Sequence, residues 1–184
     1  MSYSSLPFGL RTTTALTSIG LFLLGVANVA NANPEGGEVV AGSATISTPS
    51  TDTLVVQQQT QNVVINWNSF NIGAGETTQF VQPNADAWAL NRVVGSQDPS
   101  VIAGTLSANG NIALVNPDGI LFSLGSRVDV NSLVASIADI TNDDFISGNL
   151  SFSISGNAHA SIVNEGTISI ADHGIGAFVA PGVR

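Results

Sequence analysis

The chain has no cysteine and no lysine, and only 9% of its 184 residues are charged. Without thiols there is no disulfide framework, thiolate zinc site or cysteine nucleophile to consider. Four Arg stand against 13 Asp and Glu. That balance leaves no basic patch to neutralise a phosphate backbone, which argues against nucleic acid as a partner. Charged content far below the roughly 25% of an ordinary domain also disfavours a helical protein, whose exposed faces are normally filled with Glu, Lys and Arg. What the sequence does contain is Ser, Thr, Asn and 19 Gly beside 43% hydrophobic residues. This is the composition of a β protein with an uncharged polar surface, long enough for one domain with a real core.

The first 32 residues read as a leader. A single Arg11 precedes an apolar run from Ile19 to Ala27, and the small-residue triplet Ala30-Asn31-Ala32 follows. The run is about half of the ~20 residues a spanning helix needs, so a secretory signal peptide fits better than a membrane anchor. Cleavage is expected after Ala32, leaving residues 33–184 as one exported domain of net charge −10, since 13 acids and three Arg remain.

From Glu35 onward short apolar alternations are punctuated by turns. Phe152 and Ile154 alternate with Ser151, Ser153 and Ser155; Ile168 with Ile170, Ile112 with Leu114, Ile120 with Phe122, and Val128 with Val130 follow the same period of two. Turn chemistry lies between them at Gly36-Gly37, Gly73-Ala74-Gly75, Asp98-Pro99, Asn109-Gly110, Pro117-Asp118-Gly119 and Ser155-Gly156-Asn157. A hairpin sandwich and a solenoid both accommodate many short strands, and Asn109-Gly110 would serve as a hairpin turn. The later chain favours stacked coils, because residues 162–168 echo residues 114–120: two apolar residues, an Asn, a Gly and an Ile. Asn bonds neighbouring backbone and Gly takes positive φ, giving a sharp corner between inward-facing strands. At a period in the low twenties the mature chain makes roughly six or seven coils. Leu133, Ile137 and Ile140 have helical spacing but read as well as a strand and a turn.

Chemistry is sparse. His159 and His173 lack a second ligand at metal spacing, and Asp143-Asp144 after Thr141-Asn142 read as a solvated turn without the ladder of a calcium loop. Gly73-Ala74-Gly75-Glu76 is too short for a dinucleotide fingerprint. No catalytic residue, metal or cofactor is assigned. Trp67, Phe70 and Trp88 either close the core or form a sugar-stacking surface, the former being the simpler reading. Arg92 and Arg127, the two basic residues inside the domain body, are expected to pair with acids such as Asp86 or Asp129.

Four ordered segments carry a resemblance: residues 39–46 (VVAGSATI), 64–73 (VINWNSFNIG), 89–93 (ALNRV) and 116–122 (NPDGILF). From about Glu35 to at least Ile140 the chain resembles the N-terminal secretion domain of two-partner secretion exoproteins, the filamentous-haemagglutinin-like family of Gram-negative bacteria. The resemblance implies an all-β fold, a right-handed parallel β-helix with an N-terminal cap, and no catalysis. It implies recognition by the periplasmic domains of a cognate outer-membrane transporter, export to the cell surface or beyond, and a passenger that meets host or neighbouring cells. It also implies that Asn66, Trp67, Phe70, Asn91 and Arg92, with Asn116, Pro117, Asp118, Gly119 and Ile120, belong to the secretion motif. The family's Asn-Pro-Asn-Gly signature stands here as Asn116-Pro117-Asp118-Gly119, and Ser123 replaces a Gly often found after the Phe. The missing Cys suits a chain that threads through a membrane unlocked. A surface adhesin or carbohydrate binder is the alternative. A β-helical polysaccharide-processing enzyme fits poorly, since the acids are dispersed and Lys is absent.

Overall fold

Alternating Leu, Val, Ile and Phe require an interior on one side of every strand. The computed structural model, whose described residues are Met1 and 32–184, provides that interior by coiling. Apart from its first and last residues, the expected leader lies outside the described residues.

Two cap strands come first, β1 (Glu38–Ala41) and β2 (Ala44–Ser50). Five turns follow. The first holds β3 (Thr53–Gln58) and β4 (Asn62–Trp67), with Ile72 bridging to Ile102 on the third side. The second holds β5 (Thr77–Val81), β6 (Trp88–Val93) and β7 (Ser100–Ile102). The third holds β8 (Thr105–Ala108), β9 (Asn111–Val115) and β10 (Ile120–Phe122). The fourth runs through β11 (Arg127–Val130) and β12 (Ser132–Ser136), leaves the coil for the helix α1 (Asn142–Ile146), and returns at β13 (Ser161–Asn164). The fifth is β14 (Thr167–Ile170), β15 (Gly176–Val179) and β16 (Gly182–Val183).

Stacking produces three sheets, ordered β1-β4-β6-β9-β12-β15, β16-β13-β10-β7 and β14-β11-β8-β5-β3-β2. Pairings between the named strands are parallel except those of the cap, where β1 lies antiparallel to β4 and β2 to β3. Register lines up like positions. Leu54, Thr78, Leu106, Val128 and Ile168 form one inward column, and Ile65, Asn91, Leu114, Ala135 and Phe178 another. Burying each large apolar side chain in these columns contributes about 1.5–3 kcal/mol, and each rung gains most of it from its neighbours. The sheet containing β4, β6 and β9 is apolar outside as well, where Val64, Leu90, Ala113 and Val134 are covered by Ile140 and Phe145.

Several expectations are corrected. Among the described residues there are five turns instead of six or seven, because the cap strands and the excursion between β12 and β13 consume residues without adding rungs. Asn109-Gly110 is a corner, since β8 and β9 lie in different sheets; the Asn109 side chain bonds both the N–H and the carbonyl of Gln82 in the turn before it. The echo between residues 114–120 and 162–168 is corner chemistry at two different corners, leading from β9 to β10 and from β13 to β14. Residues 151–155 form no strand: Phe152 is half-buried on the outer apolar cluster, and Ile154 is exposed and bridges to Asp139. The supposed turn at Thr141-Asn142 starts α1. Thr141 is its N-cap, accepting from the Asp144 N–H at 3.1 Å, while the Thr141 hydroxyl donates to Asp144 Oδ2 at 2.7 Å. Leu133 and Ile137 belong to the strand side of that ambiguity, in and just after β12.

Candidate functional site

The corner from Asn116 to Ile120 joins β9 to β10. Asn116 Oδ1 accepts from the Asp118 N–H at 2.9 Å, and the Gly119 N–H donates to the Asn116 carbonyl at 3.1 Å, so the bend is tied locally. Asn116 Nδ2 then donates to the Asp98 carbonyl and to Ser100 Oγ at 3.1 and 3.0 Å, fixing the corner to the preceding turn. Gly119 has φ +116°, and a Cβ there would come within 2.9 Å of the Ser161 carbonyl in the next turn. Asn116 is 1% exposed and Ile120 is in the core. Pro117 and Asp118 remain half-buried, and Asp118 lines a groove of about 500 Å³ together with Val101, Leu121 and His159.

The second group occupies β4, β6 and the loop after β4. Trp67 and Phe70 are each 1% exposed and meet edge to face with centroids 5.6 Å apart. Trp67 Nε1 donates to Asn91 Oδ1 at 3.0 Å, and Asn91 is itself fully buried in an inward column. These rings are core, and they offer no face for stacking a sugar. Asn66 and Arg92 are register partners pointing outward. Arg92 Nε donates to Asp139 Oδ1 at 2.8 Å, its Nη1 to Asn142 Oδ1 at 2.9 Å and Asn66 Oδ1 at 3.2 Å, and its Nη2 to the Ile140 carbonyl at 2.6 Å. One guanidinium thereby spends its fork on the start of the excursion and holds α1 against the sheet.

The ten residues do not converge on one pocket. Asn91 stands between Ile65 and Leu114 in the core, Arg92 lies on the outer face, and the corner at Asn116 sits one turn further along. The expected partners of Arg92 and Arg127 are corrected too. Arg92 pairs with Asp139, because the chain beyond β12 folds back over β6; Arg127 is exposed on β11 and makes no ion pair among the described residues. Asp139 and Asn142 were not singled out by sequence reasoning, although Thr141-x-x-Asp144 is a legible helix-start signal. His159 and His173 are both exposed in turns, His173 with φ +70°. No group of three or more His, Asp or Glu converges as a metal site among the described residues.

Comparison with known proteins assigns the coil to a family. Residues 30–182 match the TPS secretion domain. The chain belongs to that family. Over 107 residues, 58% of the chain, this TPS secretion domain is 38% identical to a heme/hemopexin-binding protein of Haemophilus influenzae and 36% identical to a second sequence of that name from the same species. The chain spans only 12% and 11% of the lengths of those curated relatives. Among solved structures, the crystal structure of the HMW1 secretion domain from Haemophilus influenzae superposes with a TM-score of 0.70 at 33% identity, covering 75% of this chain and 37% of that one. TPS secretion domains are parts of two-partner exoproteins exported through the outer membrane, a secretion family and not a known enzyme family.

Proposed function

We propose that this TPS secretion domain is a non-catalytic targeting module. In this reading a cognate outer-membrane transporter recognises it in the periplasm through residues 63–72 and 116–122 while the chain is still unfolded. The carrying observation is burial: Trp67, Phe70, Asn116 and Ile120 are at most 1% exposed. A folded domain hides them, so a receptor that reads these residues reads the extended chain. Strand addition supplies the mode, with main-chain bonds for affinity and alternate side chains for selectivity.

After export the same residues close the core, and the domain templates coils that follow it. Support comes from the cap: β1 and β2 close the outer edges of β4 and β3 with antiparallel strands, which leaves parallel stacking to proceed away from them.

Deleting residues 116–120 tests the reading. Secretion should be abolished with the chain still detectable in the periplasm. Leu106→Ala, which empties part of an inward column outside both segments, is the matched control: it should cost about 2–5 kcal/mol of folded stability yet leave export intact. Normal secretion of the deletion, or loss of export with Leu106→Ala, would overturn the proposal.

A further inference from the structure

Glu76 is a carboxylate 8% exposed, and among the described residues no cation pairs with it. Its ligands are backbone. The turn Gly73-Ala74-Gly75-Glu76 closes with the Glu76 N–H donating to the Gly73 carbonyl at 2.9 Å, with Gly75 at φ +83°. Glu76 Oε2 accepts from the Gly73 N–H at 2.8 Å. Both carboxylate oxygens also face a single nitrogen, the Ala32 N, at 3.0 and 3.1 Å. Gly73 keeps the seat open, since a Cβ there would stand 2.9 Å from Glu76 Oε2 and 3.4 Å from the Ala32 Cβ. The chain beside it is anchored as well: Thr78 Oγ1 donates to Asn33 Oδ1 at 3.1 Å and Pro34 is buried.

An amide nitrogen has one proton to share between two oxygens, whereas an ammonium has three and satisfies both while neutralising the charge. The nitrogen in question lies one peptide bond before Ala32–Asn33, the bond at which the leader is expected to end, so the new terminus must move up by one residue to take its place. Hydrolysis of the Ala32–Asn33 peptide bond by water leaves a carboxylate on the leader and an α-ammonium on Asn33, one residue, or about 3.8 Å, from the present contact. We propose that Glu76 is the seat of the chain's own N-terminal α-ammonium once the leader is removed, so that processing converts an amide contact into an ion pair locking the cap onto the first turn. The proposal rests on the leader reading and is independent of transporter recognition.

The absence of Lys makes the test clean, because the α-amine is the one primary amine within residues 33–184. The chain is produced with residues 1–32 in an exporting Gram-negative host, its start is read by intact mass, and its reaction with an N-hydroxysuccinimide ester near pH 7 is followed by mass spectrometry. The folded wild type should label at least about tenfold more slowly than the same protein in urea, as a charge-assisted contact implies. Glu76→Gln should recover most of the unfolded rate, with its β-sheet circular dichroism retained. Equal rates for folded and unfolded wild type overturn the seat, with no variant needed, as do equal rates for folded wild type and Glu76→Gln. A mature chain starting at neither Ala32 nor Asn33 overturns the leader reading and the seat together.

Discussion

Trp67 Nε1 donates to Asn91 Oδ1 at 3.0 Å across two adjacent rungs of the coil, with both side chains sealed from solvent. The pair is a polar link inside an inward column whose neighbours are Ile65 and Leu114. Asn91 satisfies the one polar atom of the largest ring in the core, and the ring in turn meets Phe70 edge to face.

Asn91→Ala therefore leaves the indole N–H buried without an acceptor and should destabilise the folded domain by about 1–3 kcal/mol. Replacing both partners, Asn91→Leu with Trp67→Phe, removes the unsatisfied donor and should recover much of that loss, since an apolar pair carries no desolvation debt. Urea unfolding of the two variants checks this. A double variant no more stable than Asn91→Ala would show that the hydrogen bond is not what holds the ring.

Arg92 makes four bonds, three of them to the excursion between β12 and β13. Arg92→Met keeps the aliphatic stem over the sheet and removes the fork. Hydrogen exchange should then show loss of protection around α1 and Asp139 while β6, β9 and β12 stay protected. The expected global cost is about 1–3 kcal/mol, below that of a fully buried pair because Asp139 is partly solvated. Unchanged exchange in α1 would assign the docking to Phe145 and Ile140 alone.

Asp144 is held below the usual carboxylate range, first by the Thr141 hydroxyl and then by Asn149, whose Nδ2 donates at 2.9 Å. A lowered folded value means that its contribution is fully present above the unfolded value near 4 and is lost as pH falls through the lower, folded value. Carboxyl NMR titration should give Asp144 a midpoint below that of a free Asp. Thr141→Val should raise it, and the Phe145 amide should lose protection over the same acidic window. An ordinary midpoint in the wild-type chain would remove this cap as a source of pH dependence.

Local chemistry was the legible part of the site. Asn116, Asp118 and Gly119 lie within four residues of one another, so an Asx bend with a positive-φ glycine could be anticipated from side-chain size and hydrogen-bonding capacity. Asp139 as the partner of Arg92 could not, because 47 positions separate them and only the fold-back of the fourth turn brings them together. Glu76 was passed over for a related reason: its turn was visible, but its burial and its contact with Ala32, 44 positions away, were not.

By itself the sequence determined that the chain is β, that Val128 and Val130 face in while Asp129 faces out, and where the chain bends, because alternation and turn chemistry act over a few residues. Its lack of Lys and Cys needed no structure to be meaningful. Tertiary structure alone decided that the turns number five, that a corner and not a hairpin follows Asn109, that α1 covers one sheet from outside, and that Trp67, Phe70 and Asn91 are interior. Those outcomes depend on which rungs stack and at what offset, a free energy spread over whole columns of contacts that no short stretch of sequence contains.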